Sequence, residues 1–81
     1  MRSATAAVFE FLERTGVEWR LKDKSVAAWV REIESDKRYA GADLPHEIRK
    51  AADWHVGQRS KPKAPDMSLR TWLEKAARDA R

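Results

Sequence analysis

Cationic side chains around a proline-containing segment are the residues of this sequence best suited to bind a ligand. Residues 58–65 read QRSKPKAP and include Arg59, Lys61 and Lys63. Because proline lacks a backbone N–H and interrupts helices, this segment should be an exposed loop. Exposed Lys and Arg side chains neutralise phosphates and release their counterions. The segment therefore indicates either a phosphate-binding loop or a solvated loop that has no partner.

Further cations flank this loop, and the charge of the chain is unevenly distributed. Residues 46–81 contain nine Lys or Arg against five Asp or Glu, whereas residues 1–45 contain eight of each. The whole net charge of +4 therefore lies in the second part of the chain, which indicates one face that meets a polyanion. The cations expected to extend the loop into a phosphate-facing surface are Arg49, Lys50, Arg70, Lys75 and Arg78. Arg49 and Lys50 should be open to solvent, because they lie opposite the apolar positions of their helix.

The four tryptophans are the second feature that could take part in binding. Trp29 and Trp72 lie on apolar stripes at helical spacing and are expected in the core. Trp54 precedes the cationic loop and is followed by His55, so this pair could offer a stacking surface to unpaired bases. Trp19 could be partly exposed as well. The alternative is that all four tryptophans simply pack a small, alanine-rich core.

Catalytic and metal-binding patterns are sparse. His46 and His55 are nine positions apart and do not form the i, i+4 pair of a helical metal site. The three glycines are isolated, and no serine has a base at a recognisable spacing. The absence of cysteine excludes disulfides, iron–sulfur clusters and cysteine-based zinc sites. We therefore expect a binding protein rather than an enzyme, with no metal and no cofactor.

The elements that must position these residues follow from hydrophobic periodicity. Apolar side chains recur with a helical period over 3–14, 24–38, 43–57 and 67–80. Residues 17–22 alternate between apolar and polar types, but they have no partner strand and should form an extended connector. The pattern predicts an all-α protein, a small four-helix bundle.

Capping residues and stripes define these helices further. The expected N-caps are Ser3, Asp23 or Ser25, Asp43 and Asp66. Gly16 and Gly57 are expected to end the first and third helices, because glycine adopts the left-handed conformation at low cost. The buried stripe expected for the last helix consists of Leu69, Trp72, Leu73, Ala76 and Ala80.

Length and hydropathy complete the general expectations. A chain of 81 residues has room for a single domain over 1–81. Its uncharged stretches fall far short of the roughly 20 apolar residues that a bilayer requires, and the N-terminal residues lack a signal-peptide pattern. We therefore expect a cytoplasmic protein with no membrane partner.

Residues 43–78 carry a family resemblance. The stretch DLPHEIRKAADWH, a short basic linker with proline, and the stretch SLRTWLEKA resemble the C-terminal module of phage replication proteins and DnaT-type primosomal proteins. The matching positions are Glu47, Ile48, Trp54, His55, Leu69, Arg70, Trp72, Leu73 and Ala76. The resemblance implies a small helical module that binds single-stranded DNA or docks on a replicative helicase. Because that module usually follows a larger region, an accessory or excised domain is expected here.

These observations favour a nucleic-acid-binding accessory module of phage or mobile-element DNA replication, with single-stranded DNA preferred over duplex. The residues expected to contact nucleic acid are Arg49, Lys50, Trp54, His55, Arg59, Lys61, Lys63, Arg70 and Lys75. The alternative function is a protein-interaction adaptor that docks on a host replication or defence protein. A helix-turn-helix reader ranks below both, because Asp43 and Glu47 would repel phosphate from the start of the third helix.

Overall fold

Four α-helices and one turn of 3₁₀-helix make up the fold in a computed structural model, which describes residues 3–80. The elements are α1 (Ala4–Thr15), α2 (Val26–Ser35), the 3₁₀ turn (Lys37–Tyr39), α3 (Leu44–Gln58) and α4 (Pro65–Asp79). No strand occurs between residues 3 and 80. The predicted all-α four-helix fold is therefore confirmed. Met1, Arg2 and Arg81 of the predicted domain lie outside the described residues.

Short-range hydrogen bonds fix the beginnings of three helices as the sequence predicts. The side chains of Ser3, Ser25 and Asp43 each accept a hydrogen bond from the backbone N–H three residues further on. Each bond satisfies a donor that has no partner inside the helix. Gly16 ends α1 with a φ of 73°, and its N–H donates to the carbonyl of Leu12. Glycine is favoured here, because a residue with a Cβ adopts this conformation only at an energetic cost.

The second helix is shorter than predicted. It ends at Ser35 rather than at residue 38, because Asp36 takes an extended conformation. The Asp36 carboxylate accepts from the backbone N–H of Arg38 and pairs with its guanidinium at 2.7 Å. These bonds hold the pKa of Asp36 down at about 2. They also start the 3₁₀ turn that places Tyr39 in the core at 3% exposure.

The boundary between the last two helices also differs from expectation. Gly57 does not end α3, which continues to Gln58 and is terminated by Arg59 in the left-handed conformation, with φ of 54°. Asp66 is not an N-cap either, since α4 begins at Pro65. The preceding Ala64 has no side-chain acceptor, and proline at the first helical position lacks an N–H that would need one.

The core lies between α1, α2 and the inner faces of α3 and α4. Trp29 is fully buried, as predicted, with the ring of Trp19 packed edge-on at 5.6 Å between centroids. The largest other fully buried side chains are Phe11, Ile48, Leu69, Leu73, Val8 and Pro65. Trp72 is only partly buried, and the predicted burial of Ala76 and Ala80 is wrong, because Ala77 is the alanine of α4 that is fully buried. No helix within residues 3–80 is long and apolar enough to cross a membrane.

Replacing Gly57 with alanine should stabilise the fold. Gly57 lies inside α3, and apart from its two neighbours and the backbone of its own helix, no described heavy atom would lie within 4 Å of an added Cβ. Alanine restricts the unfolded chain more than glycine does, so the free energy of unfolding should rise by about 0.5–1 kcal/mol. Urea titration followed by circular dichroism measures this change. The matched control is Gly16→Ala, which should be destabilising because of its positive φ; a destabilised Gly57→Ala would contradict the observed extent of α3.

Candidate functional site

A groove lies between α3 and α4 on the surface of the described residues. Its volume is about 600 Å³, within the usual range of ligand sites. We call it the α3–α4 groove, and its principal side chains are Glu47, Lys50, Trp54, Thr71, Trp72 and Lys75. The α3 members are spaced three and four residues apart, so they share one helical face. Thr71 and Trp72 are adjacent on α4, and Lys75 follows them by four and three residues on the same side of the helix.

The two tryptophans of the groove are held differently. Trp54 is 50% exposed, whereas Trp72 is half-buried and donates its Nε1–H to Glu47 Oε1 at 3.1 Å. Their ring centroids lie 6.4 Å apart with a tilt of 58°. Because stacking requires near-parallel rings, a base cannot be sandwiched between them. Each ring can instead offer its outer face.

The charges of the groove are balanced. Lys50 and Lys75 are exposed cations, and Glu47 and Asp79 are the acidic residues of its lining. Lys50 Nζ lies 3.7 Å from Glu47 Oε2, while Lys75 has no ion-pair partner among residues 3–80. The groove is therefore nearly neutral, and attraction of a polyanion has to come from charges nearby.

The basic loop, residues 59–64, supplies those charges. Arg59, Lys61 and Lys63 are exposed, and none of them forms an ion pair within the described chain. Ser60 anchors the loop: its N–H donates to the carbonyl of His55 at 3.0 Å, and its Oγ lies 2.9 Å from His55 Nδ1. His55 also lines the groove, so the loop and the groove adjoin each other.

His55 does not form the stacking surface predicted for it. Only 8% of the residue is exposed, and its ring lies edge-on to Phe11 at 5.8 Å and to Trp54 at 4.9 Å. Its Nε2 lies 3.3 Å from the hydroxyl oxygen of Ser68 on α4. Burial lowers the pKa of His55 below 6.5. The imidazole therefore acts as a connector between α1, the basic loop and α4.

Two arginines that were predicted to bind phosphate instead contact other side chains of the protein. The expectation that Arg49 is open to solvent is wrong, because its Nε donates to Glu10 Oε2 at 2.8 Å and its side chain is only 21% exposed. Arg70 does not face the groove. Its guanidinium lies 5.9 Å from the centroid of the Trp29 ring. Its positive charge also helps to lower the pKa of the Asp36 carboxyl.

The predicted binding residues thus separate into three sets. Lys50, Trp54 and Lys75 meet in the groove, and Arg49, His55 and Arg70 make internal contacts. The cations of the basic loop do not line the groove; they flank Ser60, which contacts His55 of the lining, and the Lys61 ammonium lies near Gly16 at the end of α1. Sequence reasoning missed Glu47 and Trp72 as groove residues. The signal available was the spacing of positions 47, 50 and 54, which places them on one face beside the apolar stripe.

Within residues 3–80, no group of three His, Cys, Asp or Glu side chains lies close enough to hold a metal ion. Comparison of the chain with protein-family models, with curated proteins and with solved structures found no match. The function is therefore argued from the groove and the basic loop themselves.

Stability should fall as the pH is lowered through the range in which His55 titrates. Since burial lowers the pKa of folded His55 below 6.5, the unfolded chain binds more protons just below that pH, and stability declines there. Melting temperatures measured from pH 7.5 to about 5.5 should decrease. His55→Gln should flatten this dependence, because the variant lacks the buried imidazole. An unaltered pH dependence in His55→Gln would contradict the assignment.

Proposed function

We propose that this chain is a non-enzymatic module that binds single-stranded DNA. The observation that carries the proposal is the presence of two partly exposed tryptophans in one groove, with Lys50 and Lys75 on its sides and the basic loop next to it. Aromatic faces within a cationic path are the usual means of holding single strands. The loop cations would neutralise phosphates while Trp54 and Trp72 stack on bases.

Single strands fit this arrangement better than a duplex does. The faces of paired bases are covered by their neighbours in the helical stack, whereas unpaired bases can splay out onto an aromatic ring. A recognition helix in a major groove would need donors along its exposed face. Here the exposed face of α3 instead presents Glu47 and Trp54 together with one cation, Lys50.

The resemblance of residues 43–78 to replication modules supports a more specific role. Under this proposal the chain is an accessory module of phage or mobile-element DNA replication, acts in the cytoplasm and meets a replicative helicase on the same DNA. Trp54 and Trp72 are among the positions that match the family pattern, and both lie in the groove. The groove would then be the DNA-contacting part of the module.

A protein-interaction adaptor is the second candidate. Large apolar side chains that are exposed favour it, namely Phe9 at 56%, Val56 at 46% and Met67 at 63%. Exposed apolar and aromatic residues are common anchors of protein interfaces. An adaptor that uses these residues would not depend on the cations of the basic loop.

Trp54→Ala should weaken binding to a fluorescently labelled single-stranded oligonucleotide. Loss of one stacking aromatic costs about 1–3 kcal/mol per base, or about fivefold or more in Kd. The matched control is Phe9→Ala, because Phe9 is equally exposed but lies on α1. Fluorescence anisotropy at low salt measures both variants. The proposal fails if the wild-type protein shows no binding at tens of micromolar, or if Trp54→Ala binds as tightly as wild type.

Neutralising the basic loop should reduce the salt dependence of binding. In the variant Arg59→Gln, Lys61→Gln, Lys63→Gln, the slope of log Kobs against log[salt] should become shallower by about 2, at roughly 0.7 per phosphate contact on a single strand. Anisotropy titrations at a series of salt concentrations give this slope.

The control for this variant removes three other exposed cations that do not line the groove: Arg20, Lys22 and Arg31. Both triple variants lose the same net charge, so a general electrostatic effect would act on both alike. Only the loop variant should change the slope. Equal slopes in the two variants would show that the loop makes no phosphate contacts.

A further inference from the structure

The helical hairpin formed by α3, the basic loop and α4 carries opposite charges at its two ends. Its helices run antiparallel, because His55 near the end of α3 contacts Ser68 near the start of α4. The start of α3 and the end of α4 therefore lie together at one end of the groove, and the basic loop lies at the other. Asp79, the last residue of α4, lines the groove at the end that lacks the loop. We call these the acidic end and the basic end.

Both ends hold charges that no other described residue pairs with. At the acidic end Glu47 is already paired with Lys50, so the exposed Asp79, which forms no ion pair with residues 3–80, is the available carboxylate. At the basic end Arg59 and Lys63 are exposed and have no acidic partner within that range. A single chain cannot join the two ends, because the 15 residues of α3 separate them by about 22 Å.

Two copies of the chain can join them. In an isologous interface about a two-fold axis, every contact occurs twice. If two grooves face each other in antiparallel orientation, the acidic end of each copy meets the basic end of the other. The parallel orientation would instead bring like charges together, which is unfavourable. The distribution of charge along the hairpin is therefore complementary to itself, and it selects one orientation.

Trp54 lies between the two ends and supplies an apolar centre for such a contact. It is 50% exposed and lines the groove. In an antiparallel pair a residue near the middle of the hairpin lies near the two-fold axis, so Trp54 meets the same residue of the second copy. Tryptophan is enriched among the residues that dominate interface energies, and such residues cluster at the centre of an interface. Lys50 and Lys75 are exposed and can keep their ammonium groups in solvent through their flexible stems.

We propose that the α3–α4 groove pairs with the same groove of a second copy, forming an antiparallel dimer with Trp54 at its centre and Asp79 facing the basic end of the other copy. The pairing goes beyond the proposed function and does not require it. One consequence does rest on that function: a dimer that covers Trp54 excludes single-stranded DNA from the groove. Self-association would then hold the protein in a form that DNA has to dissociate before it can bind.

The test reverses the charge at each end in turn. Asp79→Lys and Lys63→Asp each place like charges in both end contacts of the dimer, so each should weaken self-association by about tenfold or more. Sedimentation equilibrium of the full chain from about 1 µM to 1 mM measures the dimer dissociation constant. An equimolar mixture of the two variants should regain wild-type self-association, because each mixed dimer has one native contact and one contact with its charges exchanged.

The matched control is Glu34→Lys, which makes the same change of charge at an exposed position of α2. It should dimerise as the wild-type protein does, because α2 lies outside the pairing surface. A wild-type chain that stays monomeric up to about 1 mM would overturn the inference and leave the proposed function standing. Two variants that remain monomeric when mixed would overturn it as well.

A short oligonucleotide tests the consequence for DNA binding. Single-stranded oligothymidine of about six nucleotides, added to the wild-type dimer, should yield monomers that each carry one strand. A dimer that binds the oligonucleotide without dissociating would overturn the inference, because the groove could not then be the pairing surface. An oligonucleotide that fails to bind even the monomeric Asp79→Lys variant would reject the proposed function, whereas recovery of dimers in the mixture would still support the pairing.

Discussion

The packing of α1 against α3 is the constraint on which the rest of this structure depends. Ile48, Ala51, Ala52 and His55 form the buried face of α3, and the two alanines allow α1 to approach closely. A chain of 81 residues buries only about 60–65% of its unfolded surface, so few side chains secure this interface. The ion pairs Arg49–Glu10 and Arg14–Asp53 flank it, but exposed pairs contribute little by themselves. With one face of α3 committed to the core, the face of Glu47 and Trp54 is left for the groove.

His55 connects the α1–α3 interface to the basic loop. A buried imidazole that contacts Phe11, Ser60 and Ser68 joins three elements through one side chain. The hydroxyl groups can accept or donate, so either neutral tautomer satisfies both ring nitrogens. The loop therefore leaves α3 in a fixed direction despite Pro62 and its cations. This explains why the loop packs near Gly16 at the end of α1, where the Lys61 ammonium lies, rather than extending freely from the fold.

Much of the fold could be predicted from the sequence, because contacts between residues close in sequence determine where helices begin and which faces they bury. Ser3 and Asp43 cap their helices through contacts three residues away, and the stripe of Trp29 follows from helical spacing. The errors concern contacts that local pattern does not encode. Arg49 pairs with Glu10 across 39 positions, and the choice between Trp72 and Ala77 as a core residue depends on the rotation of α4 against its neighbours. In the groove, Lys50, Trp54 and Lys75 were predictable as exposed or flanking residues. Spacing could also have placed Glu47 on their face, but not its bond to Trp72, which lies 25 positions away.

The division of charge between groove and loop bears on how the proposed binding would work. A nearly neutral groove cannot supply much long-range attraction, while the three loop cations act through a field that salt screens beyond about 10 Å. Affinity and its salt dependence would therefore come from the loop, and discrimination from stacking and hydrogen bonds in the groove. The two contributions arise from separate residues, connected through the contact of His55 with Ser60. Salt should consequently weaken binding to every sequence by a similar factor while leaving the ratio between sequences nearly unchanged.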